Sequence, residues 1–510
     1  MGNFDDPFTG YSLLLRIIVL GLVPAFTIWQ YFRLRRAIHV FQLEGYKRAR
    51  FRRWCRDHPR RALWLTSTPQ KKAIAMTGRA WRLLATCGVL TPLLILGSAG
   101  AVHVGLGGWP LDVLVWAVST VLIFFGTSHL LVSVDVLLSP VQAAINGRFL
   151  RAARRKLAAV DPLVVGITGS FGKTSTKFAI EGLVGPPGSA FATPGSFNTP
   201  LGVCRTINEG LRDGHRYFVV EMGAYGEGEI ADLCAFVHPS IGVLTAIGPA
   251  HLERFGSLDA IRRTKYELVR SLPSHGTAVM NVDDLEVRKL ADATTAVRVV
   301  RYGLEPTGEP DVTGADVTVS PEGTEFTIVD HNGGGTLAVK TRLLGRHAVA
   351  HVLAGVAVAR LAGRPLAELS GPISALKPVE HRLQLIEGAA GVTVIDDAFN
   401  SNPEGAAAAL EVLEQMPASK KVVVTPGIVE FGDMQADANR EFGRRAAGVA
   451  DVLIVVARLN RDELTSGANG GRARVIAVDS LDAATKELQG LLRSGDAVLF
   501  ENDLPDQYEN

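Results

Sequence analysis

Leu163-Val-Val-Gly-Ile-Thr-Gly-Ser-Phe-Gly-Lys-Thr-Ser-Thr176 reads as a buried strand, a glycine-rich turn and the opening of a helix. Glycines at 166, 169 and 172 let the backbone approach an anion. The N–H groups at the start of the following helix would then cradle phosphates. Lys173 is expected on the β- and γ-phosphates, and the Thr174 hydroxyl on Mg²⁺. The common form of such a loop has glycine where this chain has Ile167, so the pattern is the variant G-x-x-G-x-x-G-K-T-S. Together with its strand–loop–helix setting, the loop predicts nucleotide binding.

Outward from the loop, Tyr217-Phe-Val-Val-Glu-Met-Gly223 is a β run ending in Glu221. An acid at the C-terminal end of a parallel strand is where an α/β sheet places ligand and metal groups. Taken alone, Glu221 could equally cap the next helix. Glu227 and Glu229 lie in a turn-rich segment and have weaker claims. Residues 158 to about 305 alternate apolar β runs with helical patterns, which predicts a doubly wound, mostly parallel sheet. Short β-prone runs at 306–342 predict an antiparallel insert or edge, followed by a helix at about 347–362 and a connection at 364–378. The βα pattern then resumes at Val392–Ile395, Lys421–Thr425, Val452–Val456, Arg474–Ala477 and Ala497–Phe500. The fold class is therefore α/β, with a central phosphate-loop domain over 158–370 and a smaller Rossmann-like domain over 371–510.

The chain has 510 residues, 47% of them hydrophobic and 20% charged, with a mean hydropathy of +0.19. Disordered and collagen-like classes are excluded, and about three domains are expected. The four cysteines, Cys55, Cys87, Cys204 and Cys234, form no CxxC pair, so neither a disulfide framework nor a zinc site is indicated. The net charge of +2 conceals an asymmetry: Arg33–Arg82 holds 15 Lys/Arg against two acids, Glu44 and Asp57, and the rest holds 38 against 49.

Apolar runs at about 13–32, 83–102 and 113–132 flank this basic block, each long enough for a helix to cross roughly 30 Å of hydrocarbon. The acidic leader and the lack of an A-x-A site argue against a cleaved signal peptide. The prediction is a three-helix transmembrane region over 1–150, in a multi-pass protein of the cytoplasmic (inner) membrane. The positive-inside rule puts the loop 33–82 and everything after about residue 150 in the cytoplasm. Membrane lipids are the expected partner of the basic block. Nucleic acid is the blander alternative, disfavoured by the block's place between two apolar runs.

Several ordered motifs extend beyond the loop: ITGSFGKTS (167–175), NTPLGV (198–203), EMGAYGEGEI (221–230), IGPAHLERFGS (247–257), TKYEL around Lys265, NVDD (281–284), GRHAVAH (345–351), EHRLQ (380–384) and IDDAFNSNP (395–403). In these the chain resembles the Mur ligase family over roughly 160–440, and within it most the members that add D-alanyl-D-alanine. The resemblance implies an ATP-dependent amide ligase of peptidoglycan precursor synthesis, working through an acyl phosphate. Its carboxylate substrate would be a muramoyl-peptide, UDP- or lipid-linked, and its amine D-Ala-D-Ala or an amino acid. Gly169, Ser170, Gly172, Lys173, Thr174 and Ser175 would hold the ATP phosphates, with Lys173 neutralising the transferred group.

Two Mg²⁺ ions are implied. Thr174 and Glu221 match positions that hold the first, and His251 matches a histidine associated with the second. Mg²⁺ prefers oxygen ligands, so a lone histidine is more often structural. Lys265 aligns with a lysine carried as a carbamate in the family; its plain alternative is a solvated lysine on a helix with Arg262, Arg263 and Arg270. Asn281 and Asp283 fall where the family contacts or supports adenine, although Asn-x-Asp-Asp is also a common turn. Arg382 matches an arginine near the ATP phosphates and Asp397 an acid on the ribose. Asn400 and Asn402 shape that loop.

Three departures accompany the match. No UDP-binding segment is visible in the space before residue 150. Ala246, Ala348 and His351 replace asparagines of the family pattern. The tail from Val498 lacks a Lys-Gly-Ser ending. These leave open a ligase for another polymer or metabolite, of poly-γ-glutamate type. A nucleotide-dependent membrane scaffold is the non-enzyme alternative, and retention of Lys173, Thr174, Glu221, His251, Lys265, Arg382 and Asp397 argues against it.

Overall fold

A computed structural model describes residues 9–64, 74–106, 111–195, 197–250, 252–388, 391–399, 401–456 and 458–503. The apolar run ahead of the glycine-rich turn is the strand Leu163–Thr168. Its residues alternate between the two faces of a sheet, as the period of 2 requires. Val165 and Ile167 pack with Ile180 and Leu183 of the helix Lys173–Leu183 and with Val349, Val352 and Leu353 of the helix Arg346–Leu361. Val164 faces the other way, toward Phe218, Ile207 and Leu268. Gly166 belongs to this second face: a Cβ there would come within 2.9 Å of both Leu268 and Met222. Its role is close packing, which corrects the expectation that it serves the anion.

The central sheet has nine strands, in spatial order Ala190–Ala192, Tyr217–Glu221, Leu163–Thr168, Ile241–Leu244, Thr277–Asn281, Arg298–Gly303, Val312–Ser320, Gly323–Asp330 and Gly335–Thr341. The first seven are parallel and the last two are added antiparallel. The β-rich 306–342 segment is thus the antiparallel edge of the same sheet. Connections diverge on either side of Leu163–Thr168, which makes its carboxyl end the crevice where open α/β sheets take ligands.

A second sheet has the order Gln384–Glu387, Thr393–Asp397, Ala497–Glu501, Lys421–Thr425, Val452–Val456 and Arg474–Val478. It is parallel except at the first pair. Both sheets lie within the unit Phe149–Asn510. The α/β architecture with a large, mostly parallel sheet and a C-terminal α/β domain is as expected.

The unit Met1–Arg148 is helical in its described parts, with helices Thr9–Leu43, Arg48–Asp57, Pro59–Trp64, Gly78–Leu106 and Leu111–Phe125 and the start of Thr127–Val160. The predicted multi-pass membrane placement is overturned here. Among the described residues one helix, Thr127–Val160, is long and apolar enough to cross a membrane. The run 113–132 is divided at Gly126, and a Cβ there would meet Leu122 O at 2.7 Å. The 15-residue helix before this break is about 22 Å long, short of the hydrocarbon thickness.

The apolar residues of the runs have another use. Leu34, Ile38 and Phe41 bury against Phe51, Leu83, Leu84, Cys87 and Leu131 in a core of the unit's own. Part of the basic block is also consumed internally, rather than offered to lipid headgroups. Arg33 is buried and donates to Leu63 O and Phe124 O. Arg48 and Arg79 converge on the buried Asp135 at 2.7 and 2.8 Å.

Candidate active site

The helix Lys173–Leu183 begins at Gly172, whose φ of +76° lies in the left-handed region. No side chain fits there: a Cβ would come 2.6 Å from His351 Cε1. The turn folds back on itself through Lys173, whose ammonium donates to Gly169 O at 2.7 Å and Ser170 O at 3.1 Å. Burial lowers its pKa to about 8, opposed by Glu221 and assisted by Arg382. Ser170 is tied to the next strand's loop: its N donates to Ala246 O, and its hydroxyl donates to Gly248 O at 2.9 Å.

Thr174 Oγ donates to Glu221 Oε2 at 3.0 Å. Strand register explains the meeting, since Glu221 pairs with Ile167, one residue before the end of the loop's own strand. Glu221 is buried, and its Oε2 also takes a 3.1 Å ion pair from Lys177, itself wholly buried. Asn198 Nδ2 approaches Oε1 at 3.4 Å. Lys177 also donates to Gly195 O. Burial holds the Lys177 pKa down despite the attraction of Glu221.

Lys265 sits on the helix Leu258–Arg270 and is buried, unlike the half-buried Arg262 and the exposed Arg263 and Arg270 around it. Burial first, then the nearby Lys173, bring its pKa down to about 7. A recess of about 50 Å³ is bordered by Gly169, Ser170, Lys173, Asn198 and Lys265, so two lysines from distant segments face one small space. His251 and Asn400 lie outside the described residues.

Asn281 Nδ2 donates to Thr245 O at 2.9 Å, and its Oδ1 accepts from Asp283 N at 3.2 Å. The Asp283 carboxylate is fully used in a turn, accepting from Leu304 N and Glu305 N at 2.8–3.0 Å. Asp284 rather than Asp283 reaches the cavity. It also caps the helix Leu285–Ala293 through Val287 N and accepts from Ile247 N. Burial raises its pKa.

A cavity of about 820 Å³ opens between the central and C-terminal sheets. One wall carries Phe171, Gly172 and Ser175 of the loop; the other carries Arg382, Asp397 and Glu501. Arg382 stacks its guanidinium 4.4 Å from the Phe399 ring centroid. Asp397 accepts from Leu383 N at 3.1 Å, and burial pushes its pKa up to about 6. The adjacent Asp396 turns instead to His381 Nδ1 at 2.7 Å. His347 and His351 also line this cavity, and burial lowers them to about 4 and about 3. His351 Nδ1 lies 3.0 Å from Thr176 Oγ, while His347 Nδ1 is buried without a partner. Asn402 is spent on capping the helix Pro403–Gln415.

Magnesium fits the first of the two expected positions. The Thr174 hydroxyl and the Glu221 carboxylate are hard oxygen donors already in contact, and Mg²⁺ commonly takes one or two such ligands plus phosphate oxygens. No cluster of three or more His, Cys, Asp or Glu occurs among the described residues, so a site here needs oxygens from the nucleotide.

The structure thus gathers Lys173, Thr174, Glu221 and Lys265 around the phosphate loop, and sets Arg382 with Asp397 across the cavity from Phe171, Gly172 and Ser175 of that loop. It turns Asp283 away. Sequence reasoning missed Lys177, Asp284 and Glu501. Lys177 follows Lys173 by four residues, hence on the same helix face. Glu501 ends an apolar strand as Glu221 does, and the same reasoning applied there would have found it.

Comparison with known proteins bears on this geometry. Residues 167–359 match the Mur ligase middle domain, and 381–501 the Mur ligase glutamate ligase domain. The chain is similar to the UDP-N-acetylmuramoyl-tripeptide–D-alanyl-D-alanine ligase of Mycobacterium tuberculosis, at 34% identity over 382 residues, 70% of this chain and 74% of the relative. Similarity to the Escherichia coli enzyme of that name is 32% over 298 residues, 58% and 65% of the two chains. Among solved structures, MurF ligase from Thermotoga maritima in complex with ADP superposes with a TM-score of 0.62 at 28% identity, over 70% of this chain and 80% of that one. MurF from Acinetobacter baumannii superposes with a TM-score of 0.63 at 26% identity, over 70% and 77%.

Proposed function

The chain belongs to the Mur ligase family and is an ATP-dependent, ADP-forming ligase; on that premise we propose that it joins D-alanyl-D-alanine to the tripeptide carboxylate of a UDP-N-acetylmuramoyl precursor. The observation that carries the reading is a cavity with Phe171, Gly172 and Ser175 of the phosphate loop on one wall and Arg382 with Asp397 on the other, next to the Thr174–Glu221 pair. A carboxylate oxygen of the substrate attacks the γ-phosphorus and ADP leaves. The amine then attacks the acyl carbon and inorganic phosphate leaves. Little covalent work falls to the protein, so positioning and charge neutralisation carry the rate.

In this scheme Lys173 exchanges its two loop carbonyls for phosphate oxygens. Thr174 and Glu221 would hold Mg²⁺, which would neutralise phosphate charge. Arg382 meets the phosphates from the opposite wall, Asp397 the ribose, and Asn281 supports the base pocket. Lys265 carries a carbamate: with a pKa near 7 its amine is largely uncharged at mildly alkaline pH and free to add CO₂, giving an anion beside Lys173. His251 and this carbamate would hold a second Mg²⁺, which would add positive charge at the phosphates. The two walls exclude water from the acyl phosphate.

A second reading, ligation to another carboxylate of poly-γ-glutamate type, draws on one observation. The strand Ala497–Glu501 ends in Glu501-Asn502-Asp503 and not in Lys-Gly-Ser. Mass spectrometry of products separates the two. Full-length protein with Mg²⁺-ATP is offered UDP-linked and lipid-linked muramoyl-tripeptides, glutamate and poly-γ-glutamate, each with D-Ala-D-Ala or single amino acids. The expected product is the muramoyl-pentapeptide with one ADP per bond. Phosphate release indifferent to every acceptor would refute the assignment.

A further inference from the structure

Glu430 lies in the segment 426–431 that follows the strand Lys421–Thr425. Its φ is +70°, in the left-handed region that glycine takes freely and that a residue with a side chain adopts at a cost. The residues around it are anchored: Ile428 and Phe431 belong to a core of the C-terminal sheet, and Val429 is buried. The strained residue is the one whose side chain is left partly uncovered. Strain of this kind persists where the surrounding structure holds it and the side chain has a use.

The Glu430 carboxylate faces Arg254, with Nη2 3.6 Å from Oε1. Arg254 comes from the short helix Leu252–Phe255 beside the central sheet, and its guanidinium lies 4.7 Å from the Tyr225 ring centroid. Tyr225 and Phe255 border the recess that Lys173 and Lys265 face. Arg254 therefore rests on the edge of that recess and reaches across to the C-terminal sheet. Every other ion pair between described residues of the unit Phe149–Asn510 stays on one side of this boundary. The strands Lys421–Thr425 and Thr393–Asp397 both run parallel to Ala497–Glu501, so the segment bearing Glu430 leaves the sheet at the same end as Asp397.

We propose that Arg254 and Glu430 are positioning residues, whose ion pair docks the C-terminal sheet so that Arg382 and Asp397 stand across the cavity from the phosphate loop before nucleotide arrives. The inference rests on the placement of ATP between those two walls given above, and not on which carboxylate and amine are joined. Neither residue lines the large cavity, so the pair acts through Arg382 and Asp397 rather than on the phosphates. A partly exposed ion pair holds such a contact only modestly. It works by population: whatever fraction of molecules has the second wall out of place lowers the apparent affinity for nucleotide by that fraction.

The test is isothermal titration of the full chain with Mg²⁺ and the non-hydrolysable analogue AMP-PNP, using parent, Arg254→Ala, Glu430→Gly and the double variant. Each single change is expected to weaken binding about threefold to fivefold, and the double variant no more than either alone. Glu430→Gly separates docking from simpler effects. Removing a carboxylate near an anionic ligand would by itself tighten binding, so a loss of affinity has the opposite sign from direct electrostatics. Glycine also relieves the left-handed φ, so the thermal midpoint should not fall. Unchanged or tighter binding in Glu430→Gly overturns the proposal, as do losses that multiply in the double variant. Weaker binding together with a lower thermal midpoint in Glu430→Gly overturns it as well, because the residue then serves stability alone. If Arg254→Ala does not fold, Arg254→Gln takes its place with the same expectation. Parent protein that binds no AMP-PNP defeats the nucleotide-site reading and this inference with it. Parent protein that binds the analogue no better than Glu430→Gly does defeats this inference alone.

Discussion

The ammonium of Lys177 lies 3.1 Å from Glu221 Oε2, the same oxygen that accepts the Thr174 hydroxyl at 3.0 Å. Neither charge touches water, so each depends on the other. Removing one partner of a buried pair leaves an uncompensated charge and costs about 3–5 kcal/mol. Lys177→Met is expected to lower the thermal midpoint accordingly. Mg²⁺ should raise that midpoint more in the variant than in the parent, because a cation at Glu221 replaces the missing ammonium. Equal midpoints for variant and parent in calorimetry would show that Lys177 does not serve this function.

Lys173 has different partners: its ammonium donates to the carbonyls of Gly169 and Ser170. Lys173→Ala should leave far-ultraviolet circular dichroism and the denaturant midpoint nearly unchanged. Turnover should fall by about 10³-fold, the scale of losing one preorganised charge at a reacting phosphoryl group. A variant retaining a tenth of parental turnover would remove the phosphate-loop assignment.

The half-buried histidines of the cavity wall predict a pH dependence of stability. Their folded-state pKa values, about 4 for His347 and about 3 for His351, lie below the ordinary 6.5. Between those values the unfolded chain takes up protons that the folded chain does not. This stabilisation is therefore complete above pH 6.5 and is lost progressively as pH falls toward 3. His351→Asn should flatten the fall, by up to about 3 kcal/mol at pH 4. Urea midpoints measured from pH 7 to pH 4 give the comparison, and parallel curves for variant and parent would contradict it.

Gly172 combines two constraints, a left-handed φ and His351 Cε1 at 2.6 Å from a would-be Cβ. Gly172→Ala should weaken nucleotide binding by about tenfold or more in isothermal titration, because the displaced loop no longer presents its N–H groups. Adding His351→Ala relieves the contact but not the backbone strain. The double variant is expected to recover only part of the affinity, leaving about 1 kcal/mol attributable to φ. Full recovery would mean that crowding alone excluded the side chain.

Much of the fold was legible because its signals are local. Apolar runs of four to six residues between helical patterns announced the parallel strands, and the run ending in Glu221 announced a carboxylate at a strand end. The same local logic misled in the first 148 residues. Apolar content over 113–132 says nothing of the break at Gly126, or of Leu83, Leu84 and Leu131 finding one another in a core. Asp283 shows a related limit: its turn is readable in the chain, but the two amides that consume its carboxylate come from residues 304 and 305.

The sequence alone determined the α/β class, the phosphate loop and the family, since each depends on residues adjacent in the chain or in fixed order along it. Only the tertiary structure decided which ionisable groups share a space. Lys265 is buried near Lys173, Lys177 is paired with Glu221, and Asp397 is set against Glu501 across 104 positions by strand register. Burial and proximity fix whether such a group is a solvated charge, a counter-ion or an acid held out of water. Both are properties of packing, which brings together residues that periodicity along the chain cannot relate.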